Sequence, residues 1–90
     1  MVAVEVLPIL KRSGQPDALV VIKQFRAPVG KVFIELPAGL VDASEPTSVA
    51  AVRELREETG YVGKVIDSSI VMYLGMAVSN TSIKVVTVEV

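Results

Sequence analysis

Apolar and polar positions alternate at the start of the chain, where Val2, Val4 and Val6 are separated by Ala3 and Glu5. A period of two places one set of side chains on a buried face and predicts a strand running to Leu10. Lys11 to Asp17, with Ser13, Gly14 and Pro16, predicts a turn. Ala18 to Phe25 is rich in β-branched and apolar residues and predicts a second strand, antiparallel to the first across that turn. Ala27 to Gly30 makes the next turn. Val32 to Leu36 predicts a short third strand that Pro37 ends, because proline lacks a ladder N–H and holds its predecessor extended. Glu35 there faces the side opposite to Ile34. Further along, Ile70 to Leu74 and Ile83 to Val90 are strand candidates separated by a loop containing Gly75 and Asn80.

Between these strands the period changes. Thr47 or Ser48 is placed to act as N-cap after Pro46, and Gly60 suits the left-handed position that closes a helix, so a helix is predicted over Ser48 to Thr59. At about 100° per residue, Ala51, Val52, Leu55 and Thr59 gather on one side and Glu54, Glu57 and Glu58 on a neighbouring one. Arg53 precedes Glu57 by four residues and can pair with it, holding that carboxylate in one rotamer. One helix among about five strands is an α+β pattern.

With 90 residues the chain makes at most one domain, residues 1–90. Apolar residues make up 51% of it and mean hydropathy is +0.56, yet no window approaches the roughly 18 consecutive apolar residues of a membrane span. No basic segment leads into a short apolar run with a cleavage site, so the N-terminus reads as a strand and a cytoplasmic protein is expected. Neither cysteine nor histidine occurs, which removes thiolate chemistry, imidazole bases and the usual zinc ligand sets. Net charge is −1 without a basic run, which argues against a nucleic-acid polymer as partner but leaves small anions open.

Charged residues on an amphipathic helix commonly form only a solvated face. Here the like charges of Glu54, Glu57 and Glu58 oppose one another at helical spacing, with only Arg53 and Arg56 nearby. Converging carboxylate oxygens without nitrogen or sulfur donors suit a hard cation, and Mg²⁺ with retained waters and substrate phosphates fits better than a caged Ca²⁺.

The segment reads Gly39-x5-Glu45-x7-Arg53-Glu54-Leu55-x-Glu57-Glu58-x-Gly60-Tyr61. At ordinary residue frequencies such a match arises by chance with a probability of roughly one in a billion per start position. It resembles the Nudix box of the Nudix hydrolases. The flanks Lys23-Gln24-Phe25-Arg26 and Glu35-Leu36-Pro37-Ala38-Gly39 resemble the ADP-ribose and ADP-sugar pyrophosphatase branch. The resemblance implies an α/β/α sandwich with a mixed sheet, here incomplete. It implies divalent metals, Mg²⁺ or alternatively Mn²⁺, held by Glu54 and Glu58 with Glu57 close by and the Ala38 carbonyl as a further ligand. Glu54, Glu57 and Glu58, with Arg53 orienting them, would be the catalytic set. Arg26 would contact phosphate through its planar fork of donors. Gly39, without a Cβ, would let the backbone turn tightly and bring neighbouring groups close to the metals. Leu40 would line the nucleotide pocket or belong to the core, Glu45 would stabilise the loop, and Glu35 is open between pocket and solvated strand.

Three departures from the branch shape the expectation. Gly75 to Asn80 keeps Ser79-Asn80 but lacks the proline and acid the branch carries there, which leaves the substrate open. The chain stops within its last strand candidate, and a fragment with an uncovered apolar sheet is expected. It also begins after the region through which the branch forms swapped homodimers, so dimerisation by that route is not expected. The leading expectation is Mg²⁺-dependent hydrolysis of a nucleoside diphosphate derivative, ADP-ribose giving AMP and ribose 5-phosphate. Two alternatives stand beside it: another nucleoside polyphosphate as substrate, and a non-catalytic module that binds a nucleotide or a protein.

Overall fold

The computed structural model describes residues 2–73 and 82–90. Among these residues eight strands and one α-helix follow in order: β1 (Val2–Leu10), β2 (Ala18–Leu19), β3 (Ile22–Arg26), β4 (Lys31–Glu35), β5 (Ala38–Leu40), α1 (Thr47–Thr59), β6 (Lys64–Ser68), β7 (Met72–Tyr73) and β8 (Ser82–Glu89). The alternation at the N-terminus is the hydrophobic seam of the molecule. Val4, Val6 and Pro8 point one way from β1 and are fully buried. β8 runs parallel to β1 with Val86 opposite Val6 and Val88 opposite Pro8, which doubles the seam. α1 lies across it and contributes Ala50, Ala51 and Leu55, all fully buried. Small alanines let the helix backbone approach the sheet, and Leu55 fills the remaining depth.

The principal sheet is mixed, with strand order β2-β1-β8-β6, β5 antiparallel to β1 and β7 antiparallel to β8. The expected fold class, α+β with a mixed sheet, is the observed one. Its details differ from the sequence reading at several places. The stretch read as one strand from Ala18 to Phe25 divides: Ala18–Leu19 pairs with β1, while Ile22–Arg26 leaves to form a separate two-stranded sheet with β4. β5 and β6 carry too little alternation to be predicted. The helix begins one residue earlier, and extended Pro46 (ψ 145°) is its N-cap with no side-chain capping bond, so neither Thr47 nor Ser48 caps it. Gly60 closes it as expected, with φ 80° and its N–H donating to the Arg56 carbonyl at 2.9 Å.

Pro37 is the joint between the two sheets. It ends β4 and is fully buried, and its carbonyl accepts the Val6 N–H at 2.8 Å, which delivers the chain into β5 beside β1. The predicted loop at Gly75 to Asn80 and its Ser79-Asn80 pair lie outside the described residues. Among the described residues no helix is long and apolar enough to cross a membrane.

Candidate functional site

β5, the loop after it and α1 form a strand-loop-helix unit whose polar groups converge. Glu45 closes the loop: its N–H donates to the Asp42 carbonyl at 3.0 Å, and its Oε1 accepts the Asp42 N–H at 3.1 Å. Ser44 adopts φ 66° within this turn, a left-handed conformation that costs a non-glycine residue some strain.

Arg53 holds the unit together. Its guanidinium donates to both Glu45 oxygens at 2.9 and 3.0 Å, to Glu54 Oε1 at 2.9 Å and to the Leu40 carbonyl at 3.2 Å. Helical spacing predicts the contact with Glu57, which exists but is longer, 3.3 to 3.4 Å. Its stronger partners come from the loop and from the neighbouring residue. Asp42, which no sequence signal singled out, adds a charge contact at 3.6 Å. The hydrogen bond from Arg53, with that from the Asp42 backbone, holds the Glu45 carboxyl below its ordinary pKa, and Arg53 is raised in turn.

Glu54 is the most enclosed of the helix carboxylates, its side chain only 12% exposed. It lies against Gly39, where an added Cβ would collide with its carboxylate carbon and both oxygens. Of the two roles expected of Gly39, the close approach is the one the structure bears out. Gly39 sits in β5 opposite Val4 without a left-handed backbone, and glycine is needed there for the close approach of Glu54, not for a tight turn. Glu58 shares the location. Desolvation raises its pKa, hydrogen bonding with the Ala38 backbone opposes this, and the charges of Glu54 and Glu57 raise it further. Negative charge is therefore in surplus above Ala38 and Gly39.

The all-oxygen donor set and that surplus fit a hard divalent cation at Glu54 and Glu58. The three helix carboxylates do not form one shell. Glu57 is exposed and turned toward Arg53, and among the described residues no group of three acidic side chains is gathered as a metal cage.

Arg26 lies on the β3–β4 hairpin and is held by both oxygens of Glu35, with Nε to Oε2 at 2.9 Å. That hydrogen bonding raises Arg26 and lowers Glu35, and Arg26 also feels the charge of Glu58. Glu35 is thus an arginine partner. Leu40 is 51% exposed and outside the core cluster, so the core alternative does not hold for it. On the other flank of α1, an open groove of about 810 Å³ is lined by Ser48, Val49, Val52, Arg56 and Val65, and it shares Arg53 and Glu57 with the acidic site.

A model described as the NUDIX domain matches residues 1–82. The chain is 51% identical over 86 residues to the ADP-ribose pyrophosphatase of Saccharomyces cerevisiae, covering 94% of this chain and 37% of that protein. It is 41% identical over 88 residues to the ADP-sugar pyrophosphatase of Mus musculus, covering 98% of this chain and 40% of that one. A crystal structure titled ADP compounds hydrolase superposes with a TM-score of 0.76 at 28% identity, over 98% of this chain and 45% of that chain. The chain spans about two fifths of the length of the curated relatives it matches. With a family match over most of its length and the strand-loop-helix unit that carries the box in place, the chain belongs to the Nudix family.

Proposed function

We propose that this chain carries the metal-facing part of a pyrophosphatase site that hydrolyses a nucleoside diphosphate sugar, ADP-ribose first among them, to AMP and ribose 5-phosphate. The observation that supports this best is the seating of the Glu54 carboxylate on Gly39 with Glu58 beside it. Glu54, Glu58 and the Ala38 carbonyl would hold Mg²⁺, with Mn²⁺ as a substitute. When bound, the ion supplies an activated water and offsets charge developing on the phosphoanhydride oxygens.

The chain's own residues do the positioning. Arg53 fixes Glu54 in one rotamer and ties it to the loop through Glu45, so the carboxylate is presented without a search among conformers. Glu57 stays on the solvent side of Arg53 and adds negative charge next to Glu58. Arg26 is aimed by Glu35 and offers its fork of N–H donors to a diphosphate. The choice of an ADP-sugar rests on the names of the relatives at 41 to 51% identity.

The test is to incubate the purified chain with Mg²⁺ and, separately, ADP-ribose, other sugar nucleotides and a dinucleoside polyphosphate, separating products by chromatography. Release of AMP from ADP-ribose is expected, with a loss of about 100-fold or more in Glu54→Gln. Preferential cleavage of the dinucleoside polyphosphate would overturn the substrate. No cleavage by a folded chain that binds Mn²⁺ would overturn catalysis and leave a binding module.

A further inference from the structure

We propose, on the reading that Glu54 and Glu58 hold a divalent cation, that Glu35 is a positioning residue that keeps Arg26 out of the cation site. It parks the guanidinium on the hairpin, and without it Arg26 turns onto Glu58 and competes there with the metal. Arg26 stands directly opposite Lys31, and Lys31, Phe33 and Glu35 alternate to the same side of β4, so Arg26 and Glu35 share one face of the hairpin. Arg26 is at the turn end of β3 and Glu35 at the far end of β4. Its directly opposed neighbour on that face is a like charge, and the arginine lays its arm back along the strands to reach the carboxylate. The two meet fork to fork, Nε donating to Oε2 at 2.9 Å and a terminal N–H donating to Oε1. A bidentate pair of this kind fixes the guanidinium in direction and in plane.

A second attractor lies close by. From Glu35 the chain runs through Leu36 and Pro37 to Ala38, a span of at most about 10 Å between the end Cα atoms, and Glu58 is hydrogen-bonded with the Ala38 backbone. A guanidinium held at Glu35 is therefore one side-chain swing from Glu58, whose charge it already feels. Glu58 also stands beside the charges of Glu54 and Glu57. Arg53, the cation built into that cluster, is committed to Glu45, to Glu54 and to the Leu40 carbonyl. An arginine released from Glu35 thus finds an acceptor in Glu58, and its N–H donors would take the same oxygens that a hard cation needs. Glu35 in this way governs metal binding without being a ligand.

The test is a double-mutant cycle in Mn²⁺ binding, followed by electron paramagnetic resonance on wild type, Glu35→Gln, Arg26→Gln and the double variant, with circular dichroism confirming each fold. Glu35→Gln should weaken Mn²⁺ binding by about fivefold when Arg26 is present, the scale of a partly exposed ion pair, and should cost nothing when residue 26 is already Gln. Simple loss of a nearby negative charge would cost the same in both backgrounds, so equal costs would overturn the proposal. A readout without metal separates that outcome from failure of the cation reading. In the nitrogen NMR spectrum, the Arg26 Nε–H signal should respond to Glu58→Gln in the Glu35→Gln background, where the guanidinium has moved, and not in wild type. A signal indifferent to Glu58 in both backgrounds would overturn the proposal whether or not Mn²⁺ binds. A wild-type chain that binds no Mn²⁺ would overturn the cation reading and the competition with it, even where the arginine moves as expected.

Discussion

The seam of β1, β8 and α1 and the hairpin of β3 and β4 are built from similar residues with opposite results. Val4, Val6, Val86, Val88 and Leu55 have no exposed surface, whereas Phe25, Val32 and Ile34 are each well over half exposed. Composition does not separate them; connectivity does. The seam has a helix lying on it, and that helix is pinned at its far side by Arg53 and by the fit of Glu54 on Gly39. Among the described residues the hairpin has only its own two strands and the arm of Arg26 reaching to Glu35. Apolar strand residues thus mark where a sheet can be covered, and a covering element decides whether it is. The acidic site stands where the covered region presents its polar flank.

The sharpest way to break this contrast is Leu55→Ala, which empties the deepest point of the seam. A loss of about 2–5 kcal/mol is expected in urea unfolding, and a loss under about 1 kcal/mol would mean the seam does not carry the fold. Gly39→Ala comes next. Its methyl group would meet the Glu54 carboxylate, so about 1–3 kcal/mol should be lost in the same measurement, and a crystal structure should show Glu54 displaced. Glu58→Gln has a smaller effect with a defined sign. The Glu58 carboxyl is raised in the folded state, so the fold binds its proton more tightly than the unfolded chain, and stability from this residue falls as pH rises past the raised value. The variant should therefore equal or exceed wild type in urea midpoint at neutral pH, with that advantage fading as pH falls through the raised value and gone below the ordinary carboxylate range. Glu45 has the opposite sign, because its lowered carboxyl stabilises the fold above the ordinary range and loses that as pH falls through the depressed value. The smallest effect belongs to Ile34→Thr in the hairpin, expected within about 0.5 kcal/mol of wild type in dilute solution.

Local signals made the seam legible. β1 was readable because its alternation is strict, and α1 because apolar spacing and Gly60 agree. β5 was not, since Ala38-Gly39-Leu40 has no strand propensity and exists as a strand by pairing with β1. β6 was not, since Lys64 to Ser68 buries little and only Val65 packs against the core. The parallel pairing of β1 with β8 joins distant parts of the chain, and no local pattern announces it. Of the site, the residue types and the helical cluster were legible, and so was one partner of Arg53. Its shorter bonds to Glu45 and Glu54, the contact with Asp42, and the steric reason for Gly39 depend on how the loop folds back, which spacing along a helix does not contain.

The central claim is that Glu54 and Glu58 hold a divalent cation over β5. Titrating the chain into Mn²⁺ while following the free-ion signal by electron paramagnetic resonance tests it most directly. Saturable loss of the signal is predicted for wild type, with binding abolished in Glu54→Gln and Glu58→Gln although both stay folded. An unchanged Mn²⁺ signal with wild type, or equal binding by both variants, would contradict the claim.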